Sequence, residues 1–221
     1  MSEMLSNFQN NALSHKPFQG MRKVYHVLAA SFFPILYHYG PFQMTPEACR
    51  QILLLVLGIS FVIAFGLDLF RLQDKSFNSR FMKYFSLIIR HTEENKFNGS
   101  TFLCFAFFWV IFFFSKPVAV AAMLFLSLGD AAAEIGGKNF GRFKIFHRSI
   151  EGTLSFFAVA FIIAFWVFED WRVALIGAFA GALVELFSFE VDDNLTVPIG
   201  SALALSLALF LFHLGSPFTS F

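Results

Sequence analysis

Between Arg50 and Asp68 the chain reads QILLLVLGISFVIAFGL, seventeen residues without a charge. Helical at 1.5 Å per residue and extended by its flanks from 49 to 70, this stretch matches the roughly 30 Å hydrocarbon core of a bilayer. Six further apolar stretches surround it, at about 24–40, 101–114, 117–129, 150–168, 171–188 and 196–214, each bounded by charge, Gly or Pro. The pattern predicts an all-α polytopic membrane bundle of about seven transmembrane helices. Composition agrees: of 221 residues 57% are hydrophobic and only 14% charged, with 35 Phe, where soluble domains carry about a quarter charged. A soluble globular enzyme, a disordered chain and a coiled coil are excluded. A net charge of +1 provides no field to gather nucleic acid. Cys49 and Cys104 make neither a disulfide framework nor a C-x-x-C site.

The stretches at 101–114 and 117–129 are short, and Ser115-Lys116-Pro117 joins them as a tight hairpin. The second of them must run on through Gly129-Asp130 or stop inside the protein, because bare backbone ends cannot face lipid. The first apolar stretch begins after Met21, contains His26 and Pro34, and leads to no small-residue cleavage site, so it is expected to remain as the first span. Orientation follows from the basic residues, which are retained on the cytoplasmic side. With the N-terminus cytoplasmic, thirteen of the sixteen Lys and Arg fall inside, leaving only Arg50, Lys116 and Arg172 outside. Residues 1–20 then form an N-terminal cytoplasmic segment and 21–221 a single transmembrane domain.

Ionisable residues at membrane depth are costly and mark candidate sites. Arg22 and His26 lie one turn apart at the start of the first span, and Asp68 and Arg71 lie three residues apart at the end of the second. A snorkelling Arg and an ion pair that merely ends a helix would explain them equally well. The densest segment is Gly129-Asp130-Ala131-Ala132-Ala133-Glu134-Ile135-Gly136-Gly137-Lys138-Asn139-Phe140-Gly141-Arg142. In a helix Asp130 and Glu134 share a face, as two oxygen ligands for a hard cation would. Gly136, Gly137 and Gly141 permit close backbone approach to an anion, and Lys138, Arg142 and Lys144 supply positive charge for a polyphosphate. Small-residue helix packing beside a basic loop is the plainer alternative. The G-x-x-x-x-G-K-[ST] pattern is absent, so this is no P-loop.

Arg148-Ser149-Ile150-Glu151-Gly152-Thr153 follows, with Ser149 placed to cap the fifth span and an N-terminus suited to phosphate. In the sixth span Gly177, Gly181 and Glu185 recur at four-residue spacing, a stripe that carries the carboxylate into the bundle. Asp192-Asp193-Asn194-Leu195-Thr196-Val197-Pro198 adds two carboxylates and an amide before a helix read as starting at the proline. Carboxylates, cations and glycines on one membrane face suggest metal and phosphate, as for an enzyme that moves phosphate onto or off a lipid head group.

These motifs, with Arg22-Lys23-x-x-His26, Asp68-x-x-Arg71 and Asp193-Asn194-Leu195-Thr196-x-Pro198, resemble the CTP-dependent lipid-alcohol kinases: dolichol and polyprenol kinase, phytol kinase and eukaryotic-type diacylglycerol kinase. The similarity runs from about residue 20 to 205, with a more distant one to phosphatidate cytidylyltransferases. It implies transfer of the γ-phosphate of CTP to a membrane lipid hydroxyl, giving CDP and a lipid monophosphate, and makes residues 21–221 the catalytic domain. By the resemblance, Asp130 holds Mg²⁺, with Glu134 as its neighbouring ligand from the helix spacing. Gly129, Gly137, Lys138, Gly141 and Arg142 line the nucleotide phosphates, and Arg148, Glu151, Gly152 and Asn194 complete that pocket. Arg22, His26, Asp68 and Arg71 are expected at the lipid head group or in support of it. The family often has Lys where Arg148 stands; a guanidinium keeps the electrostatic role but cannot serve as a neutral base. Glu185, Asp193 and His26 are rival candidates to orient or deprotonate the hydroxyl. A cytidylyltransferase and a non-enzymatic transporter stay open as alternatives, as does oligomeric state, a homodimer included. The site is expected to face the cytoplasm, from the inner membrane of a bacterium or the endoplasmic reticulum of a eukaryote.

Overall fold

The computed structural model describes residues 16–40, 44–85, 89, 93–145, 148–188 and 191–212, without the side chains of 16–23 and 25. Within the described residues each apolar stretch is helical over most of its length. The helices are α1 (Lys16–Tyr39), α2 (Pro46–Gln73), α3 (Lys75–Tyr84), α4 (Gly99–Phe113), α5 (Lys116–Leu124), α6 (Asp130–Phe140), α7 (Ile150–Phe168), α8 (Trp171–Phe187) and α9 (Asp193–Leu211). A two-residue hairpin, β1 (Lys144–Ile145) with β2 (Arg148–Ser149), precedes α7. The protein is a helical membrane bundle. Four segments are long and apolar enough to cross a bilayer: Pro46–Gln73, Lys116–Phe140, Ile150–Phe168 and Asp193–Leu211; Gly99–Phe113 is a shorter apolar helix.

The hairpin at Ser115 forms as expected, with Ser115 at the N-cap position and Pro117 in the first turn of α5. The chain also runs on through Gly129-Asp130: a π-turn, Phe125–Gly129, joins α5 to α6 without a break, giving one span of 25 residues. Side chains from Val118 to Leu126 are buried all round, which makes α5 the central helix. Around it pack α1, α4, α7 and α9, while α6, α7, α8 and α9 pack in succession.

Apolar side chains gain nothing by leaving lipid for one another, so close backbone approach by small residues has to hold such a bundle. The Gly177-Gly181-Glu185 stripe does this. A Cβ on Gly177 would stand 2.2 Å from the Leu205 side chain, and one on Gly181 would meet Ser201 and Phe125. Gly129 lies against the Phe156 ring in the same way.

Two expectations need correction. The segment 136–141 is not a loop: Gly136 and Gly137 sit inside α6, and Gly141 follows as its C-cap. A Cβ on Gly136 would meet Ser155 Oγ at 2.0 Å, one on Gly137 Ser149 Oγ at 2.9 Å, and one on Gly152 the Ala133 carbonyl at 2.7 Å. The bareness of these glycines is spent on α6–α7 contact. The last span begins at Asp193, capped by Asp192, not at Pro198, which lies inside α9. Asp193 and Asn194 are thereby placed in a helical first turn. The region between α2 and α4 also contains a helix the apolar pattern did not announce, α3, capped by Asp74 accepting from Ser76 N and Phe77 N.

Gly152→Val should lower stability by about 1–3 kcal/mol, the usual range for overpacking, because the added carbons meet backbone. Gly66→Ala, where nothing lies within 4 Å of the new Cβ, should leave it equal or slightly higher. Thermal midpoints in one detergent check both.

Candidate active site

Arg148 is where the polar residues meet. The β1–β2 pairing sets Ile145 opposite Arg148 and Lys144 opposite Ser149, and Glu151 fastens the hairpin to α7 by accepting from Arg142 N at 2.9 Å and Phe143 N at 3.3 Å. Ser149 caps α7, accepting from Gly152 N at 3.0 Å. The Arg148 guanidinium then reaches three carboxylates on three helices. It pairs with Glu185 of α8 at 2.9 Å, with Asp193 of α9 in direct contact, and with Asp130 of α6 at 3.9 Å. Glu185 is 1% exposed and accepts a second bond from Thr153 Oγ1 at 3.3 Å. Burial works to lower the pKa of Arg148, but the charges of Asp193 and Glu185 outweigh it and hold it above its ordinary value. The group stays cationic throughout the usable pH range.

Asp130 follows the π-turn directly, the kind of helix irregularity that often re-aims a functional side chain. It also lines a cavity of about 640 Å³ between α1, α4 and α6. Glu134 and Lys138, one and two turns further along α6, line the same cavity and form an ion pair with each other. His26, Glu93, Asn98, Gly99, Ser100 and Asn194 complete its polar part, and Val27, Phe33 and Leu103 its apolar part.

Asp68 and Arg71 do not line this cavity but hold a segment that does. They lie 2% and 0% exposed and pair at 2.6 Å. Arg71 donates to the carbonyls of Glu93 at 3.0 Å, Glu94 at 3.2 Å and Lys96, and to Asn78 Oδ1 at 3.3 Å. Asp68 accepts from Asn98 N at 2.9 Å and Thr101 Oγ1 at 2.6 Å. The pair therefore supports the site by fixing the segment that carries Glu93 and Asn98, and it is itself fully engaged. Gly99 matters here because a Cβ would stand 2.6 Å from Asn194 Nδ2; its absence lets the N-terminus of α4 close on that amide. Asp192 holds the amide from the other side, accepting from Asn194 Nδ2 at 2.7 Å.

The structure thus brings together Asp130, Arg148, Glu185 and Asp193, and puts Glu134, Lys138, His26 and Asn194 in the adjoining cavity. Arg142 is exposed and Gly137, Gly141, Glu151 and Gly152 serve the α6–hairpin–α7 contact. Arg22 lies outside the described side chains. Sequence reasoning missed Glu93, Asn98 and Ser100 as cavity residues, since only the folded path of the chain through Arg71 carries them there.

Among the described residues no three His, Cys, Asp or Glu side chains converge as a ready metal cage. Mg²⁺ is usually held by one or two carboxylates together with substrate phosphates, so Asp130, backed by Glu134 one turn away, is a donor set of the right chemistry.

An uncharacterized protein of Rickettsia prowazekii is 26% identical over 201 residues, covering 86% of this chain and 94% of that protein. The CTP-dependent diacylglycerol kinase 1 of Saccharomyces cerevisiae is 28% identical over 218 residues, covering 85% and 72%. The chain is a relative of the CTP-dependent lipid-alcohol kinases. Phytol kinase 1, chloroplastic, of Arabidopsis thaliana extends the likeness, at 26% over 208 residues with 85% and 66% covered. No family model and no solved structure matches the chain.

Asp68→Asn should destabilise the protein by about 3–5 kcal/mol, the cost of leaving a buried cation without its partner. The 93–98 segment should become more open to limited proteolysis.

Proposed function

We propose that the protein transfers the γ-phosphate of CTP to the hydroxyl of a membrane lipid alcohol, releasing CDP and a lipid monophosphate. One observation carries this reading: Asp130 belongs at once to the cavity and to the Arg148 cluster, so a phosphate acceptor on one side and a phosphate-binding cation on the other meet at a single carboxylate. The relatives supply the nucleotide and the class of acceptor.

Asp130, with Glu134, would hold Mg²⁺, which neutralises phosphate oxygens when bound. Arg148 is locked between Glu185 and Asp193, so its charge is oriented before substrate arrives and can stabilise the phosphoryl oxygens as the bond to the β-phosphate breaks. Lys138 lines the cavity, placed for the outer phosphates, and Arg142 lies in the short segment between α6 and the hairpin. The acceptor oxygen forms the new bond to phosphorus and its proton must leave. Among Glu185, Asp193 and His26, only His26 lines the cavity, which makes it the leading candidate to receive that proton. Glu185 and Asp193 then act on Arg148. Phosphoryl transfer leans on positioning and charge more than on covalent chemistry, in keeping with a site rich in fixed ions. The site opens to the cytoplasm in the orientation that places thirteen basic residues inside.

Incubation of the purified protein with labelled CTP and lipid alcohols tests the reading. Label from the γ position should appear in lipid; label from the α position in lipid would instead mark a cytidylyltransferase. Asp130→Asn should reduce transfer by at least ~100-fold while the protein stays folded. Arg148→Met should do the same, and Arg148→Lys should keep part of the rate because charge survives and the two-pronged geometry does not. If His26 takes the proton, His26→Gln should lower kcat by about 10²-fold or more, and Asp193→Asn should not mimic its pH profile.

A further inference from the structure

The cavity has an apolar side bounded by α1 and α6. Leu28 on α1 and Ile135 on α6 both line it, and they are 66% and 61% exposed. α1 packs on α5 and the π-turn, and among the described residues it makes no comparable contact with α6. Two helices that share a cavity but do not close on each other leave a slot between them. We propose that this slot is a lateral portal, through which a lipid alcohol enters from the membrane and keeps its tail in the bilayer while its hydroxyl reaches Asp130.

The inference rests on the kinase reading for its ligand, but its geometry stands apart. A cavity of about 640 Å³ encloses a body of drug size, so a long-tailed acceptor can bury its head group and first carbons and no more. The remainder needs an exit through apolar walls. Val24, Leu28 and Ile135 supply such apolar walls. The polar lining, Asn98, Ser100 and Asn194, lies with the head-group end. Acceptors that differ only in tail length should therefore be used alike, because the distal tail never enters the protein.

Cys104 lines the same cavity, while Cys49 is buried elsewhere, so a native thiol reports on the portal. In phosphatidylcholine nanodiscs pyrene maleimide, which partitions into lipid, should add to the Cys104 thiol, and Cys104→Ser should remove the signal. The pair Leu28→Trp with Ile135→Trp should slow labelling by about fivefold or more, about 1 kcal/mol of added barrier. Leu28→Ala with Ile135→Ala should speed it, which keeps the test decisive should the tryptophan pair fail to fold. With γ-labelled CTP the tryptophan pair should also lower the ratio of long-chain to short, water-soluble acceptor turnover. Labelling that ignores both pairs, together with an unchanged ratio, would overturn the portal and leave the kinase reading intact. Labelling that responds in a protein phosphorylating neither acceptor would support the portal and sink the kinase reading.

Discussion

The grip of Arg148 on carboxylates from three different helices is the constraint around which this bundle is arranged. Asp130, Glu185 and Asp193 sit on α6, α8 and α9, and none could be held at membrane depth as a lone anion without great cost. The guanidinium arrives on β2, which pairs with β1 and leads through Ser149 into α7. Small residues permit the meeting: Gly152 lets α7 close on the Ala133 carbonyl, Gly129 accepts the Phe156 ring, and Gly177 and Gly181 bring α8 against α9 and the π-turn. Ion pairs of this kind add little net stability compared with apolar packing. Their contribution is a fixed direction of charge at the spot where phosphate chemistry would occur.

The same economy explains the other buried pair. Asp68 and Arg71 make no contact with the Arg148 cluster among their hydrogen bonds and ion pairs; instead they bind backbone carbonyls and an amide of the 93–98 segment. A segment that carries Glu93 and Asn98 to the cavity would otherwise be an unsupported loop. One pair sets electrostatics and the other sets the wall.

Much of this was legible in the sequence, for physical reasons that also mark where legibility ends. Hydrophobic runs announce helices because lipid tolerates little else, so each apolar stretch appears as a helix, and the continuation through Gly129-Asp130 follows from the need to satisfy backbone groups. Ionisable residues inside such runs are rare enough that Asp130, Glu185, Asp193 and Arg148 could be singled out one at a time. Gly136, Gly137 and Gly141 suggest a loop because a missing side chain admits an anion and a neighbouring helix equally well, and the structure puts the first two inside α6 with the third as its C-cap. The small residues at Gly152 and Ser155, spaced to receive them, were the clue to the second. α3 escaped notice since a short polar helix carries no membrane signal, and the start of α9 was displaced because a proline is tolerated within a helix as well as at its head. Glu93 and Asn98 reach the cavity through contacts about twenty to thirty residues away in the chain, which no local pattern encodes.

The second helix has a consequence of its own. Much of its middle meets lipid, while Arg50 at one end donates to the carbonyls of Ile111 and Phe112 and Asp68 with Arg71 secures the other. Between these ends one face packs on α4, with Leu57 fully buried and the Phe61 ring against Phe105. The opposite face is apolar for several turns, so a thinner or thicker bilayer would meet the same kind of surface there, while the two fastenings keep the 93–98 segment in register with the cavity.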